Sequence, residues 1–341
     1  MKRKIIFFIL FVFLTASIFA AWKILGPSVS APEENFFYIK TGTTFAEMKE
    51  ELVSKKVIKE TFWFDKTASL LKFKTVRAGK YQLKDEMSLL DLIRLLKNGQ
   101  QTPVNLVITK IRIKESLARN MGRLFEFDSI QAIKFLNNAD SLKKFDLDTN
   151  TLMAAVLPNT YTYYWNSTPG KVFKKLHDEW QKFWNDERKQ KASTLDLTPV
   201  QVSSLASIID EETNYLPEKS NIASVYLNRI KKRMPLQADP TVKFALKDFG
   251  LKRVYQKHLT VKSPFNTYIN LGLPPGPICT PQLATIDAVL NAPETEYLYF
   301  VAKSDFSGVH VFTTNYNDHI KMAKEFHQAM NKQEAIRNSN K

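Results

Sequence analysis

The sequence predicts an α+β protein in three parts: an N-terminal transmembrane helix, a small α/β module, and a mixed α+β domain. Three features predict this. The chain opens with an apolar run that carries no charge from Ile5 to Trp22. Short stretches with period-two alternation, such as residues 36–40 and 308–314, read as strands. Longer stretches with apolar residues three and four apart, such as 198–213, read as helices. A length of 341 residues suits about two domains, and 44% hydrophobic residues are enough for a sizeable core.

Residues 1–25 form the first segment. Lys2, Arg3 and Lys4 precede the apolar run, which spans roughly 27 Å as a helix, close to the thickness of a hydrocarbon core. The basic cluster is expected to stay cytoplasmic and the rest to lie outside. The expected location is therefore the inner (plasma) membrane, single-pass, with an extracytoplasmic or periplasmic main body. A cleaved signal peptide is the alternative. Ile18 and Phe19 stand where its cleavage pattern wants small residues, which favours an uncleaved anchor. Residues 26–35, containing Pro27 and Pro32, read as a polar linker.

Residues 36–103 read as a small module. Residues 36–40 alternate as a strand, Gly42 makes a turn, and Thr44 caps a helix with Glu47 at its third position. Phe45, Met48, Leu52 and Val53 form that helix's apolar stripe. Residues 78–83 (AGKYQL) read as a turn and strand. Ser88 and Asp91 then open a helix carrying Leu89, Leu92, Ile93 and Leu96, which ends at Asn98-Gly99. Tyr38–Leu52 and Tyr81–Leu96 look like a weak internal repeat. The string YIKTGTTFAEM resembles the LysM module, a small glycan-binding fold, although any βα unit of this size shares such features.

Residues 104–331 read as the larger domain. A strand is expected over residues 105–113, with helices around Lys114–Leu124, Ser129–Asn137 and Gly170–Asn185. Residues 154–165 form an aromatic stretch. Its Tyr161, Tyr163, Tyr164 and Trp165 either make a platform for sugar rings or fill a core. YLYFVAK and GVHVFTT read as two strands of a hairpin around Ser307-Gly308. A last amphipathic helix runs from about Asn317 to Asn331, and residues 332–341 read as a frayed tail.

The net charge of +15 and a pI near 9.6 imply attraction to something anionic: nucleic acid, anionic lipid or a cell-wall polymer. The lysines are spread along the chain and no nucleic-acid motif accompanies them, so no nucleic-acid partner is expected. The one cysteine, Cys279, excludes an internal disulfide. It lies in a proline-bound loop and is a weak candidate nucleophile.

The helix at residues 198–213 carries the chemistry. Thr198 is its N-cap, Pro199 suits its first position, and Gln201 closes a capping box. Val202, Leu205, Ala206, Ile208 and Ile209 make one apolar arc. Three acids follow. Asp210 continues the polar row of Ser203 and Ser207, and Glu211 lies at the edge. Glu212 falls near the middle of the apolar arc. A carboxyl group there is partly desolvated and holds a proton near neutral pH, as a general acid must. The alternative is a helix-end acid bent out to water.

From Leu205 to His319 the chain resembles the YceG/MltG family of endolytic murein transglycosylases. The matching strings are LASIIDEET (205–213), IASVYLNRIKKRMPLQADPTVKFAL (222–246), SPFNTYINLGLPPGPI (263–278), YLYFVA (297–302) and GVHVFTTNYNDH (308–319). The apolar N-terminus, the LysM-like region and the AGKYQL segment agree as well. The resemblance implies that Glu212, the glutamate of the E-T pair with Thr213, is the catalytic acid. The chain departs from the family at Asp210, where many relatives carry glutamate; a shorter acid there fits a supporting or surface role. It departs again at Asn159, where aspartate is common, and at residues 279–282, where relatives often read NPG.

Seven residues are candidates for binding sugar hydroxyl and acetamido groups: Gln237, Asp239, Thr241, Asn266, Thr267, Tyr268 and His310. Asp239 precedes Pro240 and should be extended, which would put Gln237, Asp239 and Thr241 on one side. Alternatively Asp239 caps a helix over 241–246. Asn266, Thr267 and Tyr268 open a loop stiffened by Pro274, Pro275 and Pro277, which could also be purely structural. His310 and His319 have no metal-ligand spacing, so no metal or other cofactor is expected; a hydrogen bond to substrate or simple packing suits them. The resemblance implies peptidoglycan glycan strands as substrate and 1,6-anhydromuramyl ends as product. It also implies penicillin-binding proteins or other wall synthases as partners, a link that no motif of this chain carries. A hydrolytic muramidase using Asp239, or a wall-binding scaffold without catalysis, are the alternatives.

Overall fold

The structure, a computed structural model, describes residues 2–339. Met1, Asn340 and Lys341, and with the last two the end of the expected tail, lie outside the described residues. The chain divides into two compact units. The first comprises Met1–Leu106, Gly122–Asp128 and Thr162–Thr168; the second comprises Val107–Met121, Ser129–Tyr161 and Pro169–Lys341.

The first unit begins with α1 (Lys2–Leu25), which buries no residue. Among the described residues it is the one helix long and apolar enough to cross a membrane. Then come β1 (Phe36–Ile39), α2 (Phe45–Ser54), α3 (Phe62–Leu70), β2 (Gly79–Gln82) and α4 (Leu89–Asn98). The two βα halves share one antiparallel sheet, in which Phe37 faces Tyr81 and Tyr38 faces Lys80. Phe37, Met48, Leu52, Phe64, Tyr81, Leu92 and Ile93 fill its core. The caps are local chemistry. Thr44 and Glu47 form a full capping box, and Ser88 accepts from the Asp91 amide. Gly99 closes α4 in the left-handed region, at φ 66°.

Residues 26–35 are not a free linker. The Val29 side chain enters the module core, its amide donates to Met87, and the Ser30 amide donates to Val57. The polar composition hid this, because one apolar side chain, Val29, and a few backbone hydrogen bonds make the attachment.

Next in the chain are β3 (Val104–Ile108), α5 (Lys114–Leu124), α6 (Ser129–Leu136), α7 (Ala139–Lys143), a 3₁₀ turn (Leu152–Ala155) and β4 (Asn159–Tyr163), which pairs with β3. β3 stops five residues short of the expected strand end. The alternation of β4 decides the aromatic stretch: Tyr161 and Tyr163 point inward and are buried. Trp165 meets Tyr38 edge-on at 5.1 Å, which leaves Tyr164 exposed and no aromatic platform.

The second unit continues with α8 (Pro169–Phe183), α9 (Asp186–Thr194), α10 (Pro199–Glu212), α11 (Leu216–Lys231), α12 (Asp239–Leu246), α13 (Gln256–Leu259), α14 (Leu283–Leu290), β5 (Tyr299–Ala302), β6 (His310–Thr313) and α15 (Tyr316–Ser339). α10 is its centre, packed against α11 and α14. The apolar arc expected from the sequence is fully buried against Ile222, Ala223 and Tyr226 of α11 and Ile286 and Val289 of α14. The polar row of Ser203 and Ser207 is buried too. Ser203, Ser204 and Ser207 return their hydroxyls to carbonyls of the preceding turn, so their small side chains need no water.

β5 and β6 form the expected hairpin, with Tyr299 facing Thr313 and Ala302 facing His310. α15 runs to Ser339, through part of the expected frayed tail; residues 332–339 contain no glycine or proline to stop a helix. Gly276 is required by close approach, since a Cβ there would lie 2.0 Å from the Asn150 carbonyl oxygen.

Candidate active site at the end of α10

The last turn of α10 holds Asp210, Glu211 and Glu212. Carboxylates are disfavoured at a helix C-terminus, where the helix dipole is negative. Each therefore needs compensation, and each has its own. Asp210 is 3% exposed and pairs with buried Lys219 of α11. It also accepts from the Thr285 hydroxyl at 2.6 Å and the Gln282 amide at 2.6 Å. It is a buried structural acid, so of the two roles expected for this position the supporting one fits and the surface one does not. Glu211 takes a two-point hydrogen bond from Arg112, at 2.8 and 3.1 Å, and lies 3.2 Å from the Lys110 ammonium.

Glu212 has no bonded cation among the described residues. Its Oε1 accepts a hydrogen bond from the Tyr226 hydroxyl at 3.0 Å. Burial pushes its carboxyl up to about 7. The Tyr226 hydrogen bond pulls back, the charge of Asp239 pushes further up, and Lys243 pulls down. Glu212 thus compensates by binding a proton. Tyr226 sits at the middle of α11, 2% exposed, its own hydroxyl pushed well up by burial and by Glu212. Oε2 of Glu212 has no protein partner among the described residues, so it can carry the proton toward a ligand.

The other candidates divide into two groups. Asp239 is the first residue of α12 rather than part of an extended segment, because Gln237 turns the chain at φ 53° and Pro240 suits a helix's first turn. Asp239 does not cap that helix with its side chain. It accepts from the Tyr268 hydroxyl at 2.6 Å instead. Burial and then Asp239 push the Tyr268 phenol up, and Glu212 adds to the shift. Glu212, Tyr226, Asp239 and Tyr268 therefore form one electrostatically linked group. Gln237 is exposed, and its amide donates to the Thr267 carbonyl at 3.1 Å.

Thr241, Asn266 and Thr267 are buried and fully engaged inside the protein. The Thr241 and Thr267 hydroxyls meet at 2.9 Å, and the Ala238 amide donates to Thr267. Asn266 donates to the carbonyls of Leu259 and Val261 and accepts from the Tyr268 amide. These three set the positions of Asp239 and Tyr268. His310 lies elsewhere on the unit, its Nδ1 2.9 Å from Glu218 and its amide donating to the same carboxylate at 2.7 Å. It ties β6 to the start of α11. Cys279 is buried, its thiol pushed up by burial and facing the Ser207 carbonyl at 3.4 Å, an arrangement unsuited to a nucleophile.

Tyr226, Lys219 and Lys243 were not singled out from the sequence. Tyr226 had a signal: a phenol amid the apolar residues of α11 needs a partner for its hydroxyl. Beside Glu211, a small cavity of about 140 Å³ is lined by Arg112, Lys243, Phe244 and Phe249, with Pro240 and Ile278.

Residues 37–325 match the YceG-like family model. The chain is 30% identical over 316 residues to the endolytic murein transglycosylase of Bacillus subtilis, covering 86% of this chain and 85% of that one. It is 26% identical to the endolytic murein transglycosylase of Streptococcus pneumoniae strain D39, covering 82% of this chain and 56% of that longer one. Among solved structures it is similar to a YceG-like protein of Listeria monocytogenes, with a TM-score of 0.56, 25% identity, and coverage of 84% of this chain and 98% of that one. With a family match over residues 37–325 and a relative 30% identical over most of both chains, the chain belongs to the YceG-like family.

Proposed function

We propose that this protein is an endolytic murein transglycosylase with Glu212 as its single acid and base. The observation that carries this reading is the state of Glu212: a half-buried carboxyl with a pKa near 7, one oxygen fixed by Tyr226 and the other open. The Bacillus and Streptococcus relatives, both endolytic murein transglycosylases by name, support the reaction class. Protonated Glu212 donates to the β-1,4 glycosidic oxygen between N-acetylmuramic acid and N-acetylglucosamine, and that C–O bond breaks. The carboxylate then takes the proton of the muramyl C6 hydroxyl as that oxygen bonds to C1. The product is a 1,6-anhydromuramyl end, and no water is consumed. A hydroxyl already held near C1 supplies effective molarity in place of a second catalytic group. Asp239, oriented by Tyr268, is the best-placed residue to bind a substrate hydroxyl or acetamido N–H, with Gln237 on the exposed approach. Thr241, Asn266 and Thr267 act as their support, and His310 is structural. Spanning of the inner membrane by α1, N-terminus inside, would confine cutting to glycan near the bilayer.

Asp239 also favours one rival, a muramidase in which it activates water. Mass spectrometry of strands digested by the full-length protein separates the two. Anhydromuramyl ends are expected from the native protein, and a loss of rate of at least about a hundredfold from Glu212→Gln. Reducing ends would make it a hydrolase. Equal cutting by Glu212→Gln would remove Glu212 from the chemistry.

A further inference from the structure

The first unit carries a feature the reaction does not use. α3 exposes Phe62 and Leu70, at 56% and 75%, on the same face as Lys66. Trp63, beside them, touches the membrane-type helix: its ring meets Phe19 of α1 edge-on at 6.2 Å and Phe62 at 5.1 Å. Just before α3, Glu60 pairs with Lys23 of α1 at 2.7 Å. So α3 begins at the last turns of α1.

The depth of those turns follows from length. The charge-free stretch Ile5–Trp22 spans roughly 27 Å, slightly less than a hydrocarbon core of about 30 Å. With Lys2, Arg3 and Lys4 held at the other face, α1 has no length to spare, and Trp22 falls at the outer boundary. Phe19, three residues back, lies about 4–5 Å inside it. Trp63, whose ring centre lies 6.2 Å from that of Phe19, is within about one helical turn of that depth. The attachment is short as well. Gly26 alone separates α1 from residues 27–30, which are hydrogen-bonded to Met87 and Val57 of the module. The module therefore has no tether on which to swing away.

We propose that α3 is a second membrane contact, an interfacial helix whose Phe62, Trp63 and Leu70 enter the outer leaflet beside α1. The proposal rests on the reading of α1 as a bilayer span and is independent of the reaction. Aromatic residues favour this depth, and a lysine on such a face reaches back to the lipid phosphates. The Lys66 ammonium, 5.7 Å from the Phe62 ring, is placed for that. The consequence is that the module's α3 side faces lipid and is closed to glycan.

The test uses the full-length protein in bilayers of phosphatidylethanolamine and phosphatidylglycerol. Nitroxide is attached to Phe62→Cys, Leu70→Cys or Phe11→Cys, the last at mid-α1. Cys279 stays in place, since it is buried and labels only through rare opening of the fold, far more slowly than an exposed cysteine. The expected result is collision with oxygen in preference to a water-soluble nickel complex at all three positions, deepest at Phe11. Preference for nickel at Phe62 and Leu70, with Phe11 deep, overturns the proposal while leaving the anchor intact. Preference for nickel at Phe11 removes the anchor and the proposal together. If a cysteine variant labels at Cys279, brominated acyl chains give the same decision without it. Bromine should quench native tryptophan fluorescence more than it quenches Trp63→Phe, and equal quenching overturns the proposal.

Discussion

At the scale of single residues, one hydroxyl governs the acid. The Tyr226 hydrogen bond favours ionised Glu212, so it holds the carboxyl below the value that burial alone would set. A hydrogen bond to a charged group is worth about 1.5–3 kcal/mol, or roughly one to two pH units. In Tyr226→Phe the pKa of Glu212 should therefore rise. A general acid must be protonated in the free enzyme, so native kcat/KM should fall as pH rises through about 7. In the variant that alkaline limb should move up by about one unit, while the rate at low pH drops because Oε2 is no longer aimed. A pH–rate profile on glycan strands checks this, and an unmoved limb would mean Tyr226 is only packing. The sequence made Glu212 legible, because its place on the apolar arc follows from helical periodicity. It left Tyr226 unread, because the 3.0 Å contact joins two helices whose mutual position no local pattern encodes.

At the scale of elements, α10 is held by a buried pair. Lys219 and Asp210 are both about 1% exposed at the side chain, and Thr285 and the Gln282 amide complete the shell. Removing one partner of a buried pair leaves an uncompensated charge and costs about 3–5 kcal/mol, whereas replacing both with apolar groups is nearly neutral. Lys219→Met should destabilise by that amount, and Lys219→Met with Asp210→Leu should recover most of it, as read by denaturant melts. Equal loss in single and double variants would show that packing, not charge, matters there. Other elements divide the same way between local and distant causes. The capping boxes at Thr44 and Thr198, the αL stop at Gly99 and the β5–β6 hairpin follow from residues a few positions apart, and the sequence carries them in full. The sequence marks the serine row of α10 as polar but does not show that it is buried, because a contact such as the Ile278 amide bond to Ser207 comes from 71 residues away. Residues 122–128 and 162–168 join the first unit from equally far along the chain, for example through Thr41 and Glu126, 85 residues apart.

At the scale of the whole molecule, the acid proposed for the reaction should weaken the fold. Glu212 has a folded-state pKa near 7 against an ordinary value of 4.5. A raised carboxyl binds its proton more tightly when folded, so between those values the native state holds more protons than the unfolded state. Stability therefore falls as pH rises through this window, and above it the deficit levels off at up to about 3 kcal/mol. His177 and His319 act in the opposite direction. Burial lowers both, so they cost stability as pH falls below 6.5. Their contribution is the same in native protein and in Glu212→Gln and cancels in the difference. The difference alone then reports Glu212: near zero at pH 4, growing through neutrality, and flat by pH 8 with the variant more stable. Cys279 is a built-in reporter, being the one cysteine of the chain and buried against Ser207 of α10, the helix that ends in Glu212. Opening of α10 exposes the thiol, and its intrinsic reactivity at a given pH is the same in both proteins. At pH 8 the thiol of Glu212→Gln should label more slowly, by up to about a hundredfold, since each 1.4 kcal/mol is a factor of ten. Equal labelling rates at pH 8 would mean that the carboxylate is solvated by water in the folded protein. The same result would take from Glu212 the proton that its proposed role requires.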